Sequence, residues 1–327
     1  MNPSVVTVAI CTWNRSRSLA ATLERFARLR VPPSVAWELL VVNNNCSDDT
    51  DAVCRTFERH LPIRLLHEPT PGQSHARNLA IREARGSHIA WTDDDVLVDP
   101  DWLAALIRAF EWNKAEWVFG PSEPEWPGAA PGWYSPRFRG YFAVLDYGRK
   151  PFVVTDVTHP FYGLNFAGTR DAHVALGGFR TEFGFRGNEG GIGEDIDLFE
   201  RALRSGMRVL YTPEARVRHV IPAARMQKRY HRRRQWVANR VYYEHIEEIF
   251  PNVPYLLGLP RFFYARACSD AVGYVKSALA ARSSDRFHHE LQLLRVAKLF
   301  IEAARHGFKP PARLEAGRTE SAGAVQP

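Results

Sequence analysis

The chain has 327 residues, of which 45% are hydrophobic and 24% charged, with a formal net charge of +7. That composition is ordinary for a soluble globular protein, and the length fits one large α/β domain with an appendage, or two domains. The four cysteines form no CxxC pair, which argues against a zinc site of the usual spacing or a disulfide framework and indicates a reducing compartment. No signal-peptide pattern and no uncharged apolar run near the roughly 18 residues of a transmembrane helix is found, and the positive charge favours anionic partners.

The first hundred residues alternate between patterns typical of buried strands and patterns typical of helices. The strand patterns are, in chain order, VVTVAICTW, WELLVVNNN, IRLLHEP and HIAWT, and helical periodicity lies between them, as in DDTDAVCRTFERHL and GQSHARNLAIREARG. Such alternation predicts a parallel, doubly wound sheet. Ligands bind outside the carboxyl ends of the strands in such sheets, so Asn14, residues 43–48 and residues 93–95 are expected to meet at one edge.

Three carboxylates, Asp93, Asp94 and Asp95, directly follow the fourth strand pattern. Like charges repel, and desolvating a carboxylate is costly unless something pairs with it. The run is compatible with a solvated turn, with an internal salt bridge, or with a divalent cation held by carboxylate oxygens. The expected convergence of the neighbouring loops favours the cation, because a solvated turn does not explain that convergence.

A second acidic group, Glu194, Asp195 and Asp197, follows a Gly-rich stretch and opens a helical pattern that Gly206 closes. Acidic residues in a first turn complement the helix dipole, so plain capping is one interpretation. A mobile Gly-rich loop over a site, with a carboxylate acting as general base on a hydroxyl, is the other.

The rest of the chain is less regular. Residues 120–160 are rich in Pro, Trp and Tyr and are expected to form a long ordered loop. Residues 225–240 contain many Lys and Arg, including Arg232, Arg233 and Arg234, and apolar residues there recur at helical spacing. This pattern suits a solvated helix or a basic amphipathic helix on anionic lipid, and two further amphipathic helices are predicted after it. Residues 308–327 are expected to be disordered.

The chain resembles the family 2 glycosyltransferases, which have the GT-A fold. The resemblance lies in VAICTWNRSRSL, WELLVVNNNCSDDT, GQSHARNLAIREARGSHIAWTDDDV, GTRDAHVALGGFRTEF and GEDIDLFERALRSGMRVLYTPEARVRH, and covers roughly residues 5–220. It implies a doubly wound GT-A domain over residues 1–222, with a donor-binding half (1–119) and an acceptor half (120–222). A basic amphipathic helical region (223–307) and the tail (308–327) complete this division.

The resemblance implies an inverting transfer of a sugar from a nucleotide-diphosphate donor to an acceptor hydroxyl, assisted by Mn²⁺ or Mg²⁺. The family's DxD motif corresponds to Asp93 and Asp95, of which Asp95 is the expected direct metal ligand. His219 matches a position that can reach the same metal, although a histidine at a strand end is often structural. Asp195 matches the catalytic base, with Glu194 as the second candidate.

The remaining expected site residues lie on the donor side: Thr12, Asn14, Asn43, Asn45, Arg77, Asn78, Asp93 and Asp94. Arg77 is expected either to reach a phosphate or to form a surface ion pair. Asn43 stands where the family commonly has Asp. An amide both donates and accepts hydrogen bonds whereas a carboxylate accepts them, so the usual uridine preference stays open.

The expected partners are a nucleotide-diphospho-sugar donor, a glycan or lipid-linked acceptor and an anionic membrane surface, without nucleic acid. The expected pathway is synthesis of a polysaccharide, glycolipid or other cell-envelope glycan. The expected location is the cytoplasm, peripherally on the inner face of the cell membrane. Two other functions stay open: a nucleotidyltransferase on the same fold, and a non-catalytic carbohydrate- or nucleic-acid-binding protein.

Overall fold

The structure is a computed structural model of the chain in which residues 5–184 and 193–311 are described. These residues divide into two compact units, one that runs to His231 and one that starts at Arg232. The Gly-rich loop expected before Glu194 falls largely on residues 185–192, and most of the expected tail falls on residues 312–327, so both lie outside the described residues. The domain boundaries after residues 119, 222 and 307 stay predictions.

The first unit opens with alternating strands and helices, as the sequence predicts. The apolar runs form strands covered on both faces, and the segments between them form helices that bury one stripe. This stretch comprises β1 (Val5–Thr12), α1 (Ser16–Phe26), β2 (Ala36–Asn43), α2 (Thr50–Phe57), β3 (Ile63–His67), α3 (Gln73–Glu83) and β4 (His88–Asp93). It continues with β5 (Val96–Val98), α4 (Trp102–Asn113), β6 (Trp117–Phe119), β7 (Ser122–Glu125), β8 (Phe152–Val154), β9 (Asn165–Thr169), α5 (Arg170–Ala175), α6 (Glu194–Arg204), β10 (Val209–Tyr211) and β11 (Val217–Val220).

The main sheet contains eight strands in the order β3-β2-β1-β4-β9-β6-β10-β8. Strands β3, β2, β1 and β4 are parallel to one another, and β6 is parallel to β10. Strands β9 and β8 run antiparallel to their neighbours. The predicted fold class, a doubly wound and mainly parallel sheet, is therefore confirmed. A smaller sheet, ordered β5-β11-β7, carries His219.

Two apolar layers cover the two faces of the main sheet. Alternate residues of β1 point to opposite sides, so Val8 and Ile10 pack in one layer with α1 and α4, whereas Ala9 packs in the other with α3 and α6. A Cβ atom at Gly168 of β9 would lie 2.5 Å from the ring of Trp117, so glycine is what lets these strands pack. The sheet is thus a rigid support for the loops at its carboxyl edge.

His173 is a buried histidine packed between Trp91 and Trp117. Trp91 Nε1 donates to His173 Nε2 at 2.8 Å, and His173 Nδ1 lies 2.8 Å from the Thr169 carbonyl oxygen. Since Nε2 accepts from the indole, Nδ1 carries the proton and the ring is neutral. Burial lowers the pKa of His173 from 6.5 to about 4.

We therefore expect acid to destabilise the chain through His173. The unfolded chain binds a proton between pH 6.5 and about 4 that the folded chain does not, so this contribution is complete above pH 6.5 and is lost as the pH falls through that window. The pKa shift corresponds to a loss on the order of 3 kcal/mol. The free energy of unfolding in urea, measured across the window, should decline less steeply for His173→Gln, which keeps one donor and one acceptor. Equal slopes in both proteins would contradict the assignment.

The second unit is mainly helical. Its buried centre contains Tyr243, Leu259, Phe263 and Leu299. The two helices predicted after the basic helix are confirmed as α9 (Phe262–Leu279) and α10 (Ser283–Arg305). Across the described ranges, no helix has the length and apolar character needed to span a bilayer. The elements from the end of the first unit onward are α7 (Lys228–Glu244), α8 (Ile246–Ile249), β12 (Tyr255–Leu256), β13 (Leu259–Pro260), α9 (Phe262–Leu279) and α10 (Ser283–Arg305).

The basic helix of the sequence is α7, and some of its arginines are engaged within the chain. Both Nε and Nη2 of Arg232 bond the carboxylate of Glu290 on α10, and its guanidinium lies 5.6 Å from the centre of the Phe287 ring. Arg240 pairs with Glu244 at 3.3 Å. Arg232 is therefore held against α10, and docking of residues 232–234 on a lipid surface stays a prediction.

Candidate active site

The three aspartates lie at the carboxyl edge of the main sheet, and their carboxylates point to different partners. Asp93 ends β4 and lies 3.5 Å from Arg77, while Asp94 accepts a 2.7 Å hydrogen bond from the hydroxyl of Thr12 on β1. Asp95 lies in the turn to β5. The exposed fractions of Asp94 and Asp95 are 4% and 3%, which excludes a solvated turn. Carboxylates buried to this extent need ion-pair or hydrogen-bond partners.

Arg15 supplies much of that pairing. Its Nη1 lies 3.1 Å from Asp94 Oδ1 and 2.9 Å from Asp95 Oδ2. Burial raises the pKa of Asp94 to about 7, against the opposing charge of Arg15. Burial also disfavours the charge on Asp95, but His219, Arg15 and Arg225 together hold the pKa of Asp95 below its usual range. Asp95 is thus the more firmly ionised of the two.

His219 on β11 faces Asp95, and the main chain fixes its tautomer. Its Nδ1 lies 2.7 Å from the carbonyl oxygen of Phe142, so Nδ1 donates to the main chain and Nε2 is the ring nitrogen that faces Asp95. That Nε2 lies 3.6 Å from Asp95 Oδ1 and 3.2 Å from Arg225 Nη1. Asp95 Oδ1 is buried and has no hydrogen-bond partner among the described residues. A ring nitrogen of His219 and an unsatisfied carboxylate oxygen of Asp95 therefore face the same space, and both are atom types that bind divalent cations.

The described residues contain no group of three or more His, Cys, Asp or Glu side chains placed to hold a metal ion by themselves. Magnesium sites in phosphate chemistry commonly use one or two carboxylates and take their remaining ligands from substrate phosphates and water. Asp95 with His219, and Asp93 beside them, fit a site of that kind, which a phosphate-bearing ligand would complete.

Arg77 on α3 connects this site to the second acidic group. Its side chain is 2% exposed, its Nη1 lies 3.2 Å from Glu194 Oε1, and its Nη2 contacts Asp93 Oδ1 and, at 3.2 Å, the carbonyl oxygen of Gly163. A Cβ atom at Gly163 would lie 2.5 Å from Arg77 Nη2, so a glycine is needed for this approach. The alternative of a surface ion pair for Arg77 is therefore wrong, because the guanidinium is buried.

Glu194 and Asp195 begin α6 and point in different directions. Burial and the neighbouring charge of Asp195 raise the pKa of Glu194 to about 7, while Arg77 opposes the shift. Asp195 is half-buried, and its two oxygens accept from the main-chain N–H groups of Gly163 at 2.7 Å and Ile196 at 2.9 Å. Glu194 is thus the internal partner of Arg77, whereas Asp195 is a carboxylate held in a fixed orientation at the site.

The expected donor-side residues meet at the same edge but are engaged to different degrees. Asn14 and Asn45 have positive φ angles of 52° and 66°, and Asn14 Oδ1 accepts a 2.7 Å bond from the N–H of Ser47, which ties the β1 loop to the β2 loop. Asn43 Oδ1 accepts from the N–H of Cys46 at 2.7 Å.

Asn78 on α3 exchanges two 2.8 Å hydrogen bonds with the main chain of Phe179, so its amide is already bonded within the chain. Donor binding by these residues stays a prediction.

Three charged residues of the site were not found by sequence reasoning: Arg15, Arg225 and Asp51. Asp51 lies beside Asn43, the position where the family commonly has Asp. Asn43 Nδ2 donates to Asp51 Oδ1 at 2.6 Å, and His67 Nε2 lies 2.9 Å from Asp51 Oδ2. A carboxylate is thus present next to the position where the family commonly has one. Two features of the sequence could have indicated them: Arg15 directly follows Asn14, and Asp51 lies in the run of acidic residues at the start of α2.

The fold and the site together define the class: a GT-A glycosyltransferase with a carboxylate motif after β4. A model of the family described as "Glycosyl transferase family 2" matches residues 7–176. The chain belongs to glycosyl transferase family 2.

Similar proteins agree with this membership. The chain is 29% identical over 223 residues, which is 67% of this chain and 68% of the relative, to the succinoglycan biosynthesis protein ExoM of Rhizobium meliloti (strain 1021). It is 24% identical over 315 residues, 93% of this chain and 94% of the relative, to a glucosyl-dolichyl phosphate glucuronosyltransferase of Haloferax volcanii.

Two solved structures share the fold. The mannosyltransferase PcManGT from Pyrobaculum calidifontis, in complex with GDP-Man and Mn²⁺, has a TM-score of 0.54 at 19% identity, and the match covers 92% of this chain and 75% of that one. Residues 1–349 of S. aureus TarS give a TM-score of 0.52 at 13% identity, with 92% and 91% covered.

Proposed function

We propose that this glycosyltransferase is metal-dependent and inverting, and that it moves a sugar from a nucleotide-diphosphate donor to an acceptor hydroxyl. The observation that carries the proposal is the position of Arg77. This buried guanidinium contacts Asp93, one of the candidate metal ligands, and the carbonyl of Gly163, whose N–H orients Asp195. Arg77 thereby connects Asp93, a candidate metal ligand, to Asp195, the candidate general base, within one site.

Asp95, His219 and Asp93 are the residues that would hold the metal. A bound Mn²⁺ or Mg²⁺ would neutralise the negative charge of the departing diphosphate. The mannosyltransferase structure with GDP-Man and Mn²⁺ supports a divalent cation. Asp94 is engaged with Thr12 and Arg15, and we assign it to the support of the donor loops.

Asp195 acts on the acceptor. As the acceptor oxygen forms its bond to the anomeric carbon, the bond from that carbon to the diphosphate oxygen breaks on the opposite face, and the configuration inverts. The hydroxyl proton passes to Asp195, and the bonding electrons leave with the nucleoside diphosphate. The hydrogen bonds from Gly163 and Ile196 keep the carboxylate in place while a lone pair accepts the proton.

The donor nucleotide lies against the loops of Thr12, Asn14, Asn43 and Asn45 in this proposal. The amide of Asn43 is bonded to Cys46 and Asp51, so it is the carboxylate of Asp51, which can accept further hydrogen bonds, that we expect to meet an N–H of the base; uracil and guanine both carry one. The solved neighbours include one complex with GDP-Man and one with UDP, which supports testing both nucleotides.

The acceptor is a glycan or a lipid-linked glycan of cell-envelope synthesis in this proposal, and the enzyme works at the inner face of the cell membrane. The support comes from the relatives, since one is named for succinoglycan biosynthesis and the other for transfer to glucosyl-dolichyl phosphate, which is a lipid phosphate.

A donor screen tests the proposal. We expect one of the UDP-, GDP- or dTDP-sugars to be slowly hydrolysed by the purified chain when Mn²⁺ or Mg²⁺ is present, with release of the nucleoside diphosphate, because water can replace the acceptor. Nuclear magnetic resonance of the released or transferred sugar reports inversion. Release of pyrophosphate from a nucleoside triphosphate would instead indicate a nucleotidyltransferase, and sugar binding without turnover would indicate a binding protein.

A further inference from the structure

Helix α9 has two opposite sides, and one of them is exposed. Phe263 and Ser277 are buried, and a Cβ atom at Gly273 would overlap the ring of His289, so this side lies against α10. On the opposite side, Val272, Val275 and Leu279 are 54%, 56% and 85% exposed. These residues, together with the exposed Cys268, follow one another at helical spacing and form a single stripe, which we call the α9 stripe.

The charges around the α9 stripe have one sign. Arg261 and Arg282 are exposed at its two ends, and Lys276 is exposed on its flank. Asp270 is the single acidic residue between positions 261 and 282, and it turns toward α10, where its Oδ1 lies 2.8 Å from Nδ1 of His289. The stripe is therefore an apolar surface bordered by cations whose carboxylate partners do not come from α9.

We propose that the α9 stripe docks on the surface of an anionic phospholipid membrane. A helix with an apolar stripe and a basic border lies in the interfacial plane, with its aliphatic side chains among the acyl chains and its cations at the phosphates. This assigns to α9 the membrane contact that the sequence suggests for α7, whose Arg232 is occupied by Glu290. The proposal extends the membrane location given under the proposed function, but it does not depend on glycosyl transfer.

A second copy of the chain fits the α9 stripe less well. In an antiparallel two-fold pairing of α9 helices, Arg261 of one copy would approach Arg282 of the other, and in a parallel pairing each cation would approach its own equivalent. Like charges across an interface oppose association. The stripe also lacks the Trp and Tyr anchors that usually supply most of the binding energy between proteins.

Vesicle binding by the full chain tests the proposal. Cys268 is the exposed one of the four cysteines, so a polarity-sensitive dye attached there reports its surroundings. We expect a blue shift with phosphatidylcholine vesicles that contain phosphatidylglycerol, and co-sedimentation of the unlabelled chain with the same vesicles. Val272→Ser combined with Val275→Ser should weaken this binding by about tenfold or more, because aliphatic burial is lost. Lys276→Gln combined with Arg282→Gln should weaken it and reduce its dependence on salt.

Val174→Ser is the matched control, because Val174 is 62% exposed on α5 of the other unit. This variant should bind vesicles like the wild type. Equal binding by the double serine variant, or equal binding to pure phosphatidylcholine, would overturn the proposal, as would self-association without lipid that the serine substitutions abolish. Donor hydrolysis is measured in parallel: vesicle binding without hydrolysis would count against the proposed function alone, and hydrolysis without vesicle binding against the α9 stripe alone.

Discussion

Replacing Asp195 with asparagine is expected to lower turnover by about 10² to 10⁴-fold while donor affinity stays unchanged, because general-base catalysis contributes a factor of this size. Asparagine has the shape of aspartate, and its amide oxygen can still accept the 2.7 Å hydrogen bond from Gly163. The amide cannot take up the acceptor proton at neutral pH, so the loss should appear in kcat and not in the dissociation constant of the donor. Steady-state kinetics and calorimetric titration of the nucleotide measure the two quantities separately.

Glu194→Gln is the matched comparison, because it changes the adjacent carboxylate in the same way. Glutamine keeps an oxygen for Arg77, and because burial and Asp195 raise the pKa of Glu194, the charge of this carboxylate is held less firmly than usual. Most of the turnover should therefore survive. If Asp195→Asn abolished donor binding and left the rate at saturation intact, Asp195 would be a binding residue, and a larger loss in Glu194→Gln would make Glu194 the base.

The parts of the fold that the sequence predicts well are local. β1 to β4 and the helices between them follow from apolar periodicity, because each strand is covered on both faces and each helix on one. Parallel strands joined by helices bring their carboxyl ends to one edge, so the meeting of Asn14, Asn43 and Asp93 could be expected before the structure was known. The strand that pairs with the other side of β4 could not be predicted, because β9 is distant along the chain and runs antiparallel to β4.

The charge pairs of the site could not be predicted from the sequence. Arg15 and Asp95 are 80 positions apart, and Arg77 and Glu194 are 117 positions apart, so neither pair has a periodicity that would reveal it. The role of Arg77 depends on its burial. An arginine at this place in a helical pattern could form a surface ion pair or a buried one, and the close packing of Gly163 against the guanidinium makes it buried. In the same way, the tautomer of His219 depends on the carbonyl of Phe142, which is 77 positions away.

Replacing Asp95 with asparagine is expected to remove metal-dependent turnover and to weaken Mn²⁺ binding in the presence of the nucleoside diphosphate. Asp95 Oδ1 is the buried oxygen without a hydrogen-bond partner that faces Nε2 of His219. Loss of a residue that merely orients a metal ligand typically costs 10- to 100-fold in affinity, so loss of a direct ligand should cost at least about a hundredfold. Electron paramagnetic resonance of free Mn²⁺, titrated with and without UDP or GDP, measures this loss independently of activity.

Asp94→Asn provides the control for that loss, because Asp94 is equally buried, also contacts Arg15, and is bonded to Thr12 instead of facing His219. Asparagine keeps the shape of Asp94, and burial already disfavours the charge there by raising the pKa of Asp94, so Asp94→Asn should fold and should keep its affinity for Mn²⁺. Thermal unfolding checks that both variants fold, as expected because Arg15 keeps one carboxylate partner in each. Equal Mn²⁺ affinities in the two variants, or wild-type turnover unchanged by EDTA, would show that Asp95 is a structural partner of Arg15 and that this site works without the cation.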